Sequence, residues 1–220
     1  MSEQVLHASA LLLDFDGVLV DSVPAVERAW GEWAGEHGLD PAAVIATAHG
    51  VRTVETVRAM APHLDAEAEA QRIEDREVGL TDGVTAYAGA AALLARLPDD
   101  AWAIVTSGTR KLAGARLAAT GLPEPRVFVT ADDVAHGKPA PDPYLLAAQR
   151  LDARPRACVV VEDSPAGVRA ARSAGMRVIA LTTSHDPADF SDPTVVAAAI
   201  AAVTVTPDGD GLRITVRTRP

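Results

Sequence analysis

Two acids one residue apart, Asp14 and Asp16, stand where the apolar run Ala10-Leu11-Leu12-Leu13 breaks into the turn Gly17-Val18-Leu19-Val20-Asp21-Ser22. Carboxylates beside a core strand are costly to bury without a partner, so the placement points to chemistry rather than packing. Three further stretches are comparable: Thr106-Ser107-Gly108-Thr109, His136-Gly137-Lys138-Pro139 and Glu162-Asp163-Ser164-Pro165. Together they offer several acids, one lysine and a hydroxyl-and-glycine turn, which is a hard-cation site next to an oxyanion site. Mg2+ bound by a few carboxylates and a substrate phosphate fits that donor set. Asp14 can then act as a carboxylate nucleophile that accepts a phosphoryl group, which divides one hard displacement into two easier ones. Asp16 can protonate the leaving alkoxide and later take a proton from the attacking water.

Taken singly, each stretch has an ordinary explanation as a turn, a helix cap, a loop or a helix start. As an ordered set of four they favour a functional site. Lysine usage adds weight: of the 20 basic residues only Lys111 and Lys138 are lysines, and Lys138 falls in one of the four stretches.

These residues need a scaffold that brings them together. Short apolar runs recur at Ala10–Phe15, Trp102–Thr106, Arg126–Val129, Ala157–Val161 and Met176–Leu181, alternating with helix-like stretches. The alternation predicts an α/β fold with a doubly wound, Rossmann-like parallel sheet, in which the four stretches converge on one crevice at the carboxyl ends of the strands. Residues 20–85 read as helices without a convincing strand, so the expected organisation is a core of residues 1–20 and 86–220 with an inserted helical cap at 21–85. In that insertion Ser22 is expected to cap a helix with Pro24 in its first turn, Asp40-Pro41 starts a second, Thr53 caps a third, and residues 65–78 form an acidic fourth whose charges read as a solvated face. Trp30 and Trp33 read as its core. Gly121 and Gly175 are expected helix stops. The tail from Val203 to Val216 alternates β-branched residues about Pro207-Asp208-Gly209-Asp210-Gly211 and predicts a C-terminal β-hairpin on a sheet edge, with dimerisation as a lesser alternative.

In combination the four stretches resemble the motifs of the haloacid dehalogenase-like hydrolase superfamily. The insertion after Asp21 resembles the helical cap of its phosphoglucomutase-like branch. The stretches Ser22-Val23-Pro24-Ala25, His49-Gly50-Val51-Arg52-Thr53, Val105-Thr106-Ser107-Gly108-Thr109-Arg110, Thr130-Ala131-Asp132-Asp133-Val134 and Gly137-Lys138-Pro139-Ala140-Pro141-Asp142-Pro143-Tyr144 resemble the glycerol phosphatases and 2-deoxyglucose-6-phosphate phosphatases of yeast type. The resemblance implies Asp14 as nucleophile and Asp16 as acid/base. It implies phosphate binding by Thr106, Ser107, Gly108 and Lys138, and substrate selection by His49 and Arg52 of the cap. It also implies Mg2+ held by the Asp14 carboxylate, the Asp16 backbone carbonyl and Asp163, with Glu162 a direct or indirect contributor. The expected activity is a Mg2+-dependent phosphomonoesterase acting on a small phosphorylated polyol or sugar.

Other readings are weaker. A phosphosugar mutase shares the machinery, but mutases of this branch carry a histidine where this chain has Val26. A dehalogenase needs neither Asp16 nor the Glu162-Asp163 pair. Schiff-base phosphonate chemistry needs a cap lysine, and none lies between Ser22 and Asp82. A silent binding protein on the same fold usually lacks the nucleophile or the metal acids. A net charge of -10 offers no broad field for nucleic acid or an anionic membrane. The single cysteine, Cys158, sits in an apolar run and reads as a structural thiol. No run reaches membrane-spanning length and no leader pattern is evident, so a cytoplasmic protein is expected, monomeric unless the tail pairs.

Overall fold

The computed structural model describes residues 2–218. In chain order the elements are β1 (Ser2–Ala8), β2 (Ala10–Leu13), β3 (Val20–Asp21), α1 (Val23–Glu36), α2 (Pro41–Ala48), α3 (Thr53–Met60), α4 (Ala66–Val78), β4 (Thr85–Ala86), α5 (Ala90–Leu94), β5 (Trp102–Val105), α6 (Arg110–Thr120), β6 (Val127–Val129), α7 (Asp142–Arg150), β7 (Cys158–Glu162), α8 (Pro165–Ser173), β8 (Arg177–Leu181), β9 (Val195–Ala197), β10 (Val203–Asp208) and β11 (Gly211–Thr218). Six strands form one sheet in the order β6-β5-β2-β7-β8-β9, parallel at every pairing. All residues of β2, β5 and β7 are buried, as strands covered on both faces must be.

Alternate residues of these strands serve opposite faces. Leu11, Leu13, Ile104, Val159 and Val161 pack with Ala113 and Leu117 of α6. Ala10, Leu12, Val105 and Val160 pack with Tyr144 and Ala147 of α7 and Val168 and Ala171 of α8. Because β5 and β7 flank β2 on opposite sides, the sheet changes direction at β2, and the crevice beyond its carboxyl end is the place where such sheets bind ligands.

The helices α1 to α4 bury an apolar cluster of their own, including Trp30, Trp33, Val44, Val57 and Ile73. Trp30 and Trp33 meet edge to face at 5.6 Å. The segment is entered and left through β3 and β4, which pair with each other in an antiparallel ribbon. The sequence reading assigned no strand there, and two residues on each side are too few to show a period.

Three other expectations are corrected. The C-terminal hairpin is present, but it does not extend an edge of the parallel sheet. It pairs through β11 with β1, forming a separate three-stranded antiparallel sheet whose Val205, Leu212, Ile214 and Val216 close one face of the core. The pairing joins segments about 200 residues apart, with Leu6 opposite Ile214, so no local signal announces it. The acidic helix α4 is not wholly solvated: Glu74 and Glu77 are buried, on the side that carries Ala66, Ala70 and Ile73. Thr53 is the first residue of α3 rather than its cap. Gly121 and Gly175 do end their helical stretches at positive φ.

Candidate active site

Asp14 follows β2 directly and is 4% exposed. Its Oδ1 accepts from Lys138 Nζ at 2.7 Å. Lys138 is itself buried, and its other donors go to Glu162 Oε1 at 2.7 Å and the Val105 carbonyl at 3.1 Å, while its ammonium lies 5.2 Å from the ring centre of Tyr144. Three protein acceptors therefore occupy the three protons of the ammonium. The resemblance has Lys138 neutralise both the nucleophile and the phosphoryl charge; the structure places it on Asp14, and it is not among the residues that line the cavity. Although burial pulls the Lys138 pKa down, Asp14 and Glu162 outweigh it and raise it, so the ammonium is a fixed positive charge beside the aspartate.

Glu162 ends β7 and is fully enclosed. Its Oε1 accepts from Lys138 and from the Tyr144 hydroxyl at 2.8 Å. Its Oε2 accepts from the Asp163 and Ser164 amides at 2.9 and 3.0 Å and from Ser164 Oγ at 3.0 Å. Burial alone would raise its pKa, but Lys138 and these donors hold it below the ordinary value. Five donors fill both oxygens, so Glu162 shapes the turn and anchors Lys138 rather than offering a lone pair to an ion. Gly167 in the first turns of α8 makes room for it, since a Cβ there would stand 1.6 Å from Glu162 Oε1.

Asp14, Glu162 and Asp163 are all buried and bring carboxylate oxygens within 4.8 Å of one another. One lysine against three acids leaves an excess of negative charge. Burial, with the repulsion of Glu162, pushes Asp14 up to about 7; burial, with the repulsion of Asp14 and Glu162, pushes Asp163 well above the ordinary carboxylate range. A divalent cation would oppose both shifts by favouring the ionised carboxylates, and an all-oxygen donor set suits a hard one. The residues thus fit a metal ion, with Asp14 and Asp163 as the carboxylates available to hold it. Asp163 is steadied by the Ser184 hydroxyl, and Gly17, at φ +76, leaves it space that a Cβ would fill.

Asp16 lies outside this carboxylate cluster. Its Oδ1 accepts from Ser22 Oγ at 2.7 Å and pairs with Arg116 Nη1 at 2.7 Å. Ser22, expected to cap α1, makes no capping bond; its hydroxyl goes to Asp16 instead. Arg116 also pairs with Glu77 of α4. The sequence reading assigned neither residue to the site. Their signal was available: Arg116 falls on the face of α6 that carries Leu112, Ala113 and Leu117, and Glu77 on the apolar side of α4. A charged residue at an apolar position of an amphipathic helix needs a buried partner.

One cavity of about 90 Å3 joins these groups, lined by Asp14, Asp16, Thr106, Ser107, Gly108 and Asp163 on the sheet side. Its opposite wall comes from the helical segment, with Val26, Trp30, His49, Val51 and Glu77. The loop between α2 and α3 is seated closely on the sheet-side turns. Ser107 Oγ donates to the Gly50 carbonyl at 2.9 Å, and a Cβ on Gly50, at φ +74, would stand 2.2 Å from Ser164 Oγ. Thr106 Oγ1 accepts from the Gly108 amide at 3.1 Å, which shapes that turn.

The two cap residues proposed for substrate part company. His49 lines the cavity, its ring 5.7 Å from that of His185; its Nε2 is buried without a partner, and burial together with His185 lowers its pKa. Arg52 lines a neighbouring cavity instead. Its guanidinium is held by Glu55, with Nε at 2.9 Å, and by the Val134 carbonyl, and it packs over Gly137.

Comparison with known proteins agrees with this construction. A family model described as haloacid dehalogenase-like hydrolase matches residues 8–175. The chain belongs to the haloacid dehalogenase-like hydrolase family. It is 46% identical over 212 residues to hexitol phosphatase A of Escherichia coli, covering 93% of this chain and 98% of that one. It is 34% identical to glycerol-1-phosphate phosphohydrolase 2 of Saccharomyces cerevisiae, covering 82% and 77% of the two chains. Among solved structures, CbbY from Rhodobacter sphaeroides in complex with phosphate superposes with a TM-score of 0.75 at 26% identity, over 88% of this chain and 95% of that one. β-Phosphoglucomutase from Clostridium difficile, at 20% identity and a TM-score of 0.78 over 88% and 92%, shares the fold. Among the described residues no helix is long and apolar enough to cross a membrane. Cys158 is buried, and burial pushes its thiol up to about 11, away from a nucleophile's range.

Proposed function

We propose that the chain is a Mg2+-dependent phosphomonoesterase that hydrolyses small polyol or sugar phosphates through a phosphoryl group carried on Asp14. The observation that carries this reading is the buried carboxylate of Asp14, steadied by Lys138 at 2.7 Å and facing one cavity with Asp163, Asp16 and the turn Thr106–Gly108. The relatives named above as hexitol and glycerol-1-phosphate phosphatases support it.

In the first step a carboxylate oxygen of Asp14 forms a bond to phosphorus as the bond from phosphorus to the ester oxygen breaks. Asp16 supplies the proton that the departing alkoxide needs; both contacts on its side chain fall on Oδ1, leaving Oδ2 for the proton. In the second step water attacks the phosphorus, Asp16 takes its proton, and the bond to Asp14 breaks to release phosphate. Asp14 and Asp163, with the Asp16 backbone carbonyl, would hold the divalent cation, which would supply positive charge against the phosphoryl oxygens. Lys138 fixes Asp14 in place and favours its ionised form against the burial that raises its pKa, and the turn Thr106–Gly108 receives the phosphoryl oxygens. The helical segment acts as a cap that shuts the cavity from bulk water, with the Ser107–Gly50 bond as one of its closing contacts.

Val26 lines the cavity at the position where the mutases carry a histidine, so the wall offers no base there for returning the phosphoryl group to a second hydroxyl. The reading is tested by phosphate release with Mg2+ over a panel of glycerol, hexitol, hexose and deoxyhexose phosphates, with Asp14→Asn as control. Release that vanishes in the mutant is expected. No release above the mutant on any ester would sink the proposal.

A further inference from the structure

Beyond the phosphoryl-binding end, the cavity contains a buried charge chain that the transfer steps leave unexplained. Arg116 is 4% exposed and bridges Asp16, from the sheet side, to Glu77, from α4. Asp16 is the group that faces the ester oxygen in the proposed reaction, and Arg116, bonded to it, lines the same cavity. Arg116 Nε is buried and has no partner. Across the same cavity His49 Nε2 is also buried and unpartnered. Leaving a buried polar atom unsatisfied is costly, and here the two residues that carry such atoms line one cavity. A ligand with hydroxyls near the phosphate ester would satisfy both.

The charge around these atoms limits what that ligand can be. Arg116 is the one arginine or lysine lining this cavity among the described residues, and it already faces two carboxyls. Burial pushes Glu77 up to about 7 despite the pull of Arg116. Asp16 and Glu77 face one guanidinium: while Asp16 carries the proton it delivers, an ionised Glu77 balances Arg116, and once Asp16 has given it up the trio is negative. With Glu77 ionised there is no surplus positive charge for a second anion. His49 does not supply it either, since burial disfavours its charged form. The apolar walls Val23, Val26 and Leu112 add no donor, and the Trp30 indole N–H is directed to Glu77.

We propose that Arg116, backed by Glu77 and faced by His49, is a hydroxyl-reading subsite that selects uncharged polyol leaving groups and rejects those bearing a carboxylate or a second phosphate. The proposal rests on the phosphatase reading and adds the residues that set its specificity. Arg116 reads by hydrogen bonds from a fixed guanidinium, and Glu77 both holds that guanidinium and removes its attraction for anions.

The test compares kcat and KM for glycerol phosphate, propyl phosphate and phosphoglycolate in the wild type and in Glu77→Gln, with Arg116→Lys and His49→Ala as further variants. In the wild type, glycerol phosphate should exceed both other esters in kcat/KM by about ten- to a hundredfold, the range for hydrogen bonds to a charged group. Glu77→Gln should shift the ratio of phosphoglycolate to glycerol phosphate toward the anion by about tenfold, through KM. Any disturbance of Asp16 acts on every ester and cancels in that ratio. Arg116→Lys and His49→Ala should narrow the preference for glycerol over propyl phosphate. Equal wild-type kcat/KM for glycerol and propyl phosphate would overturn the proposal without any variant, and so would ratios in Glu77→Gln that match the wild type. Absence of Mg2+-dependent release from all three esters would overturn the phosphatase reading itself, and this subsite with it.

Discussion

Glu162 and Asp163 are adjacent acids in one motif, yet the structure gives them opposite relations to stability, and replacing each by its amide separates them. Both oxygens of Glu162 are filled, by Lys138 and Tyr144 on one side and by two amides and the Ser164 hydroxyl on the other. In Glu162→Gln the NH2 group must confront at least two of these donors whichever way the amide turns, and Lys138 loses one of its two anionic partners. Breaking a buried ion pair from one side costs roughly 3–5 kcal/mol, which in a chain of this size lowers Tm by about 6 °C or more. Asp163 receives one side-chain hydrogen bond, from Ser184, which an amide oxygen can still accept. Because burial and the repulsion of Asp14 and Glu162 already push Asp163 toward its neutral form, Asp163→Asn should leave the metal-free Tm unchanged or higher while abolishing the rise that Mg2+ produces. The assay is thermal unfolding followed by circular dichroism, in chelator and over a Mg2+ titration. A Glu162→Gln protein that melts within about 1 °C of wild type in chelator would refute the argument from saturated oxygens, since breaking the pair calls for several times that shift.

Two further outcomes follow from the same geometry. Asp16→Asn should lower kcat by about a hundredfold or more through loss of proton transfer while the Mg2+-induced rise in Tm persists, because the proposed metal contact of Asp16 is its backbone carbonyl; loss of that rise would assign the side chain to the metal. In metal-free protein, Asp14 and Glu77 are each raised to about 7 in the folded state by burial. Acids raised on folding contribute stability that is full below their unfolded values and lost as pH rises through 7, so stability should fall by roughly 3 kcal/mol or more between about pH 4.5 and 7.5. The Mg2+-induced rise in Tm should grow over the same interval, and a metal-free Tm that climbs across it would contradict the account.

Five of the six strands of the parallel sheet are legible because their physics is local, and the sixth, the three-residue edge strand Val195–Ala197, is too short to announce itself. A strand covered on both faces must be apolar throughout, and Ala10–Leu13, Trp102–Val105 and Cys158–Val161 are. The acids, hydroxyls and lysine at the ends of those strands were legible for the complementary reason, that polar groups abutting such runs are hard to explain by packing. The proximity of Asp14, Asp163 and Lys138 then follows from parallel strands meeting at one edge. What the sequence could not determine were contacts between segments with no common local pattern. The pairing of Ser2–Ala8 with the C-terminal hairpin, the further hold on Lys138 by Glu162 and the Val105 carbonyl, the removal of Arg52 to a neighbouring cavity and the chain from Asp16 through Arg116 to Glu77 depend on how helices and loops far apart in sequence are docked. A charged residue's partner is set by three-dimensional distance, and the periodicity of one helix shows only that Arg116 and Glu77 face inward. It does not show that they face each other.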